Sequence, residues 1–239
     1  EHVDAPCQNL PGEQGNASWM TFRGCPSHAG YSRVLGPRTP VVARVPVSVE
    51  WTGGVALTAD VALVLHHGGL AALGPGGLES PLAMEGAHWE LSQSYVFGWP
   101  AQGPDGVFYA YGADGLMAVA HTGEHLWTAP NRDPDRYYGA PVVGPDGTIY
   151  ASNTYRLVAT SADGSHLWES QWWPHIEIHP TVGVDGRIYV AGGDVPNERA
   201  HGTLLAFTRD GNGVPEEIFK HPSEQFTGIV QAPWGTLYI

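Results

Sequence analysis

Residues 138–169 read YGAPVVGPDGTIYASNTYRLVATSADGSHLWE. Short apolar runs at 140–143, 148–151, 157–159 and 167–168 alternate with turn residues, chiefly Pro145-Asp146-Gly147 and Ala162-Asp163-Gly164. Runs this short, bounded by Gly, Pro and Asp and lacking any 3.6-residue period, predict four β-strands joined by tight turns.

The pattern recurs along the chain. Gly103-Pro104-Asp105-Gly106-Val107-Phe108-Tyr109 matches Gly144-Pro145-Asp146-Gly147-Thr148-Ile149-Tyr150, and Gly183-Val184-Asp185-Gly186-Arg187-Ile188-Tyr189 matches both. Ala232-Pro233-Trp234-Gly235-Thr236-Leu237-Tyr238 is a further copy, and 58–64 is a degenerate early one. The turn glycines Gly106, Gly147, Gly186 and Gly235 are 41, 39 and 49 residues apart. A second landmark keeps step: Ala72, Ala118, Ala159 and Ala206 each sit in a short apolar run followed by a glycine turn. Four strands repeated about every 40–45 residues predict an all-β fold, a β-propeller of four-stranded antiparallel blades. An ordinary β-sandwich does not require equivalent turns at near-constant spacing. Each such blade must stack on its neighbours to bury both faces.

The run small-Pro-x-x-Gly-Pro-Asp-Gly-Thr-Ile-Tyr, then Leu-x-Ala, then Asp-Gly-x-x-Leu-Trp resembles the repeat of the quinoprotein-like, or PQQ-type repeat, propellers. That group includes the outer-membrane assembly scaffold lipoprotein and the quinoprotein alcohol dehydrogenases. The resemblance covers about residues 50–239 and implies that Trp127 and Trp168, each after Gly-x-x-Leu, dock one blade on the next. The corresponding stretch after Asp210-Gly211 has no such Trp. Residues 19–32, WMTFRGCPSHAGYS, are similar to the lead-in before many such propellers, which implies that 41–47 closes the ring as an outer strand. The expected organisation is an irregular extension over 1–35 and propeller repeats over 36–239. About four and a half blades are counted, and the family's habit implies a ring of seven or eight.

The formal net charge is −13. A nucleic-acid partner needs a basic footprint and is not expected, and no apolar run reaches the length of a membrane span. The first residue is Glu1, as in a processed, exported protein or a trimmed one, so the periplasm or the extracellular space is expected. Cys7 and Cys25 are the only cysteines, and both precede the repeats. A disulfide between them suits an irregular exported segment, with two free thiols as the alternative.

Loops entering the first strand of each blade converge on the mouth of a propeller's channel, where ligands are favoured. These loops are aromatic and rich in histidine here: Trp99; Tyr137 and Tyr138; Trp172, Trp173, His175, Glu177 and His179. Trp172-Trp173 departs from the repeat and is the aromatic candidate for a sugar ring or a peptide side chain. His175, Glu177 and His179 share one face of an extended chain and are a candidate divalent-metal set. Their outer members stand about 13 Å apart in a straight strand, so one ion requires a bend. The alternative is polar residues meeting water.

The resemblance covers enzymes as well as inert scaffolds. A quinoprotein dehydrogenase would be expected to carry a vicinal cysteine pair and a calcium-binding acidic set, and neither maps onto these blades. The expected function is therefore binding or scaffolding of a protein, peptide or glycan without a cofactor. The alternative is a PQQ- and calcium-dependent oxidoreductase acting on alcohols or sugars.

Overall fold

The computed structural model describes residues 51–57, 62–66, 69–73, 87–92, 96–103, 105–132, 139–152, 155–171, 179–192, 202–209, 216–221, 226, 228–232 and 234–239. The extension with Cys7 and Cys25, the expected closing strand at 41–47, and the loops holding Tyr137, Tyr138, Trp172, Trp173, His175 and Glu177 lie outside these residues.

Every described element is a strand. The first sheet is β1 (Trp51–Leu57), β2 (Ala62–His66), β3 (Gly69–Leu73) and β4 (Ala87–Ser92). The second is β5 (Val96–Gln102), β6 (Phe108–Gly112), β7 (Gly115–Val119) and β8 (His125–Pro130). The third is β9 (Val142–Val143), β10 (Ile149–Ser152), β11 (Leu157–Thr160) and β12 (His166–Glu169). The fourth is β13 (Thr181–Val182), β14 (Ile188–Gly192), β15 (Gly202–Phe207) and β16 (Glu216–His221). A pair, β17 (Val230–Gln231) and β18 (Leu237–Tyr238), follows. Strands in each sheet pair antiparallel with their sequence neighbours, so each four-stranded sheet is a meander. The first strands lie side by side, β1 against β5, β5 against β9 and β9 against β13. Four-stranded meanders whose first strands gather at a common hub are the blades of a β-propeller.

The turn chemistry explains the blade spacing. In the third blade the Gly147 N–H donates to Gly144 O (3.0 Å), and the Asp146 carboxylate accepts the Thr148 N–H (3.2 Å). The turn glycines Gly106, Gly147, Gly186 and Gly235 all have φ between 77° and 88°, a conformation that side chains disfavour.

Within one blade, alternate residues serve different interfaces, because successive side chains point to opposite faces of a strand. Val143, Ile149, Ala151 and Val158 pack toward the second blade, with Tyr109, Tyr111 and Leu116. Val142, Tyr150, Leu157 and Ala159 pack toward the fourth, with Ile188, Val190, Leu205 and Phe207. Both faces are therefore buried, which is why these strands read as unbroken apolar runs.

The register repeats with the sequence. Ala118 pairs with Trp127 and Ala159 with Trp168, and in both blades the next pair skips Leu126 or Leu167. This bulge turns the tryptophan inward and leaves the leucine exposed. Trp89 stands opposite Ala72 in the same register, a copy hidden in the sequence by the absence of the preceding leucine. Opposite Ala206 stands Glu216, so the fourth blade carries a carboxylate at that position.

Trp127 and Trp168 join blades as the resemblance implies. The Trp127 indole N–H donates to Ala162 O of the third blade (3.0 Å), and that of Trp168 donates to Arg209 O of the fourth (3.1 Å). The Trp127 ring lies on Gly164, where a Cβ would stand 2.9 Å from its atoms. Trp168 stacks on Phe207, with centroids 6.1 Å apart and planes 16° from parallel.

The third and fourth blades are also joined by Arg209 and Asp146, 2.6 Å apart. Partial burial alone would raise the Asp146 carboxyl, but the Arg209 guanidinium and the Thr148 N–H outweigh it and hold the pKa below the ordinary 3.8. A depressed carboxylate contributes stability above that ordinary value and loses it as pH falls through the folded one. Both side chains are more than a third exposed, so solvent screening keeps the contribution below about 1 kcal/mol. Asp146→Asn is expected to lower stability slightly at pH 7 and to flatten the loss below pH 4 (roughly the carboxylate range). Urea midpoints measured at pH 7 and pH 3 for both proteins check this.

Candidate functional site

The register of the turns places three residues at the hub. Trp99, Ala140 and His179 each lie four positions before the glycine that opens the turn: Gly103, Gly144 and Gly183. They are thus the same position in the second, third and fourth blades. Trp99 is in β5, while Ala140 and His179 lie two residues before β9 and β13.

The two ring-bearing positions meet across the small one. The Trp99 and His179 rings stand edge to face, with centroids 5.4 Å apart and planes at 78°. Such a pair contributes about 0.5–1.5 kcal/mol beyond area burial. The Ala140 N–H donates to His179 Nδ1 at 2.9 Å, which places the ring proton on Nε2. The neighbouring Gly139 has no room for a side chain, since a Cβ would stand 2.6 Å from His179 Nδ1. The Gly139 N–H is held by Ser152 O at 2.8 Å. The imidazole is therefore seated on the main chain of the third blade. Both rings are half-buried, leaving part of each open to solvent.

This arrangement offers an aromatic face beside an imidazole, a combination suited to stacking and hydrogen bonding. Of the residues expected to form the mouth, the structure brings Trp99 and His179 together. Tyr137, Tyr138, Trp172, Trp173, His175 and Glu177 lie outside the described residues, as does most of the candidate metal set. His179 Nδ1 accepts the Ala140 N–H, so that nitrogen is not available as a metal ligand. Among the described residues, no group of three or more His, Cys, Asp or Glu stands where it could hold a metal ion. Among them, too, no helix is long and apolar enough to cross a membrane. The seat formed by Gly139 and Ala140 was not picked out from the sequence, although the offset from each turn glycine contained it.

The repeated tyrosines belong to the architecture. Tyr109, Tyr150 and Tyr189 are nearly inaccessible, at 1%, 0% and 4% exposure. Burial first, and then Asp146, pushes the Tyr150 hydroxyl up to about 12. Tyr189 is raised too, by burial and by its hydrogen bond to Asp185 (2.5 Å). These phenols stay neutral at physiological pH and serve as core.

No protein-family model and no curated protein sequence matches the chain. Among solved structures, it is similar to a calcium-binding protein, regucalcin, from Agrobacterium tumefaciens strain C58. The two are 16% identical with a TM-score of 0.43, over 77% of this chain and 62% of that one. At that distance the likeness carries no argument, and the propeller assignment rests on the strand order, register and hub described above.

Proposed function

We propose that this chain is part of a binding or scaffold propeller that recognises a protein, peptide or glycan at the channel mouth. The observation that carries the reading is the Trp99–His179 pair, built from equivalent positions of two blades and fixed to the backbone of the blade between them. Both half-buried rings keep part of their surface open to solvent, which in this reading leaves them accessible to a ligand. Tyr137, Tyr138, Trp172, Trp173, His175 and Glu177 precede the hub positions in sequence and extend the same surface in this reading. Stacking of aromatic rings on a sugar face or an apolar side chain supplies affinity, while the imidazole and Glu177 supply polar selection. The reading places the protein in the periplasm or outside the cell and calls for no cofactor. Its repeat pattern favours a relationship to the PQQ-type propellers.

Immobilised glycan and peptide panels test the proposal. A ligand bound by the wild-type chain is expected to lose about tenfold or more in affinity with Trp172→Ala plus Trp173→Ala, and with Trp99→Ala. Leu167→Ser, on an exposed outer strand, is expected to leave binding unchanged. Equal binding by all the variants would remove the mouth from recognition.

A further inference from the structure

Ser170 breaks the repeat at one register position. Leu70, Leu116, Leu157 and Leu204 are equivalent, each two residues before the alanine landmark of its blade. Across the ladder they face Leu91, Ala129, Ser170 and Phe219. Where the other three blades have an apolar residue, the third has a hydroxyl, and Ser170 is only 2% exposed.

The hydroxyl changes the course of the chain. The Ser170 N–H donates to Leu157 O at 2.8 Å, as in a regular antiparallel pair. The return bond is different. The Leu157 N–H goes to Ser170 Oγ at 3.0 Å, where a continuing ladder would use the Ser170 carbonyl. The same hydroxyl donates to Gln171 O at 3.0 Å, so its burial leaves it satisfied. A side chain that takes over a ladder bond in this way ends the strand. The ladders show the result. In the first, second and fourth blades they run past this position, pairing Gly69 with Ser92, Gly115 with Pro130 and Thr203 with Lys220. In the third blade the ladder stops at Val158 and Glu169, and the next residue in the chain, Gln171, is exposed.

The chain then runs through Trp172, Trp173, His175 and Glu177 to His179. His179 is also bonded to the third blade, by the Ala140 N–H at 2.9 Å. Both ends of this segment are therefore pinned to the main chain of one blade. Fixing the ends of a recognition segment reduces the freedom lost on binding, and so raises affinity without a contact to the ligand. We infer that Ser170 is a positioning residue for recognition at the mouth, its hydroxyl setting the direction in which the chain bearing Trp172 and Trp173 leaves the third blade. The inference rests on the reading of the mouth as the binding surface.

Fluorine NMR of the full chain labelled with 5-fluorotryptophan tests it without a ligand. The Trp172 and Trp173 lines are assigned by Trp172→Phe and Trp173→Phe. Ser170→Ala places the second blade's residue at this position, so the melting temperature is expected to stay within about 4 °C of wild type. In this variant the Trp172 and Trp173 lines are expected to move by more than their widths, while those of Trp127 and Trp168 stay in place. On the immobilised glycan and peptide panels, Ser170→Ala is expected to lose about tenfold in affinity for the members that the wild type retains. Ser170→Thr, which keeps the hydroxyl, is expected to hold both lines and the binding near wild type. Unmoved Trp172 and Trp173 lines in Ser170→Ala would overturn the inference. So would unchanged binding in Ser170→Ala while Trp172→Ala plus Trp173→Ala loses it. Moved lines with binding unchanged in every variant would instead overturn the mouth as the binding surface, and leave Ser170 directing the chain.

Discussion

Trp168→Ala is expected to lower the unfolding free energy by about 3–5 kcal/mol, the range for removing a large aromatic side chain from a packed site. The indole does three things at the joint between the third and fourth blades. It stacks on Phe207, packs against Tyr150 with centroids 6.0 Å apart, and donates its N–H to Arg209 O. Truncation leaves a cavity against two rings and an unpaired carbonyl. Trp127→Ala is expected to cost less, because Trp127 lies on Gly164 and packs tilted against Tyr109, and among the described residues no ring stacks on it as Phe207 stacks on Trp168. Urea unfolding followed by far-UV circular dichroism compares the two. Equal losses, or a loss below about 1 kcal/mol for Trp168→Ala, would mean that the rings do not hold the blades together.

Gly115→Ala is expected to be at least as damaging as removal of Trp127, at about 3 kcal/mol or more, and for a different reason. Gly115 begins β7 directly after the two-residue turn Ala113-Asp114, opposite Gly112 on one side and Pro130 on the other. Its φ is +141°, and a Cβ there would stand 1.9 Å from Ala129 O. That obstacle is main chain of the adjacent strand, so relief requires the sheet to shift. Gly235→Ala is the matched control. Its φ of +88° is also unfavourable, but nothing lies within 4 Å of the added atom. A cost of about 1–2 kcal/mol is expected there, from conformation alone. Similar melting temperatures for the two variants would remove the steric part of the argument.

The strand order and turns were legible because they depend on local chemistry that recurs. Asp146 bonding the Thr148 N–H, with Gly147 at positive φ, is a short-range arrangement, and each copy repeats it. The docking role of Trp127 and Trp168 was legible for the same reason. Trp89 escaped notice because the sequence signal was Leu-Trp, and the first blade keeps only the register opposite Ala72. The hub pair was half legible. Trp99 and His179 were both singled out, but their contact depends on the blade between them offering alanine and glycine at the matching positions. One cleft was not legible by looking for chemical motifs. It lies between the second and third blades, beside Thr160 where the fourth blade has Phe207, and a comparison of copies position by position finds it.

The Glu216 that stands opposite Ala206 has a consequence for the mechanics of the whole array. Beyond the fourth blade, the next joint combines hydrogen bonds, in which Gln231 Oε1 accepts the Val184 N–H at 2.7 Å and the Thr181 hydroxyl donates to Ile229 O at 3.2 Å, with an apolar cluster of Tyr189, Ala191, Leu204 and Ala206 against Ile229, Phe226 and Leu237. In a stack of modules coupled only to their neighbours, cooperativity is set link by link. With Glu216 at the position that the second and third blades give to an indole, this joint is expected to yield before the two ring-wedged ones. Twisting or prying the array is expected to concentrate strain there first.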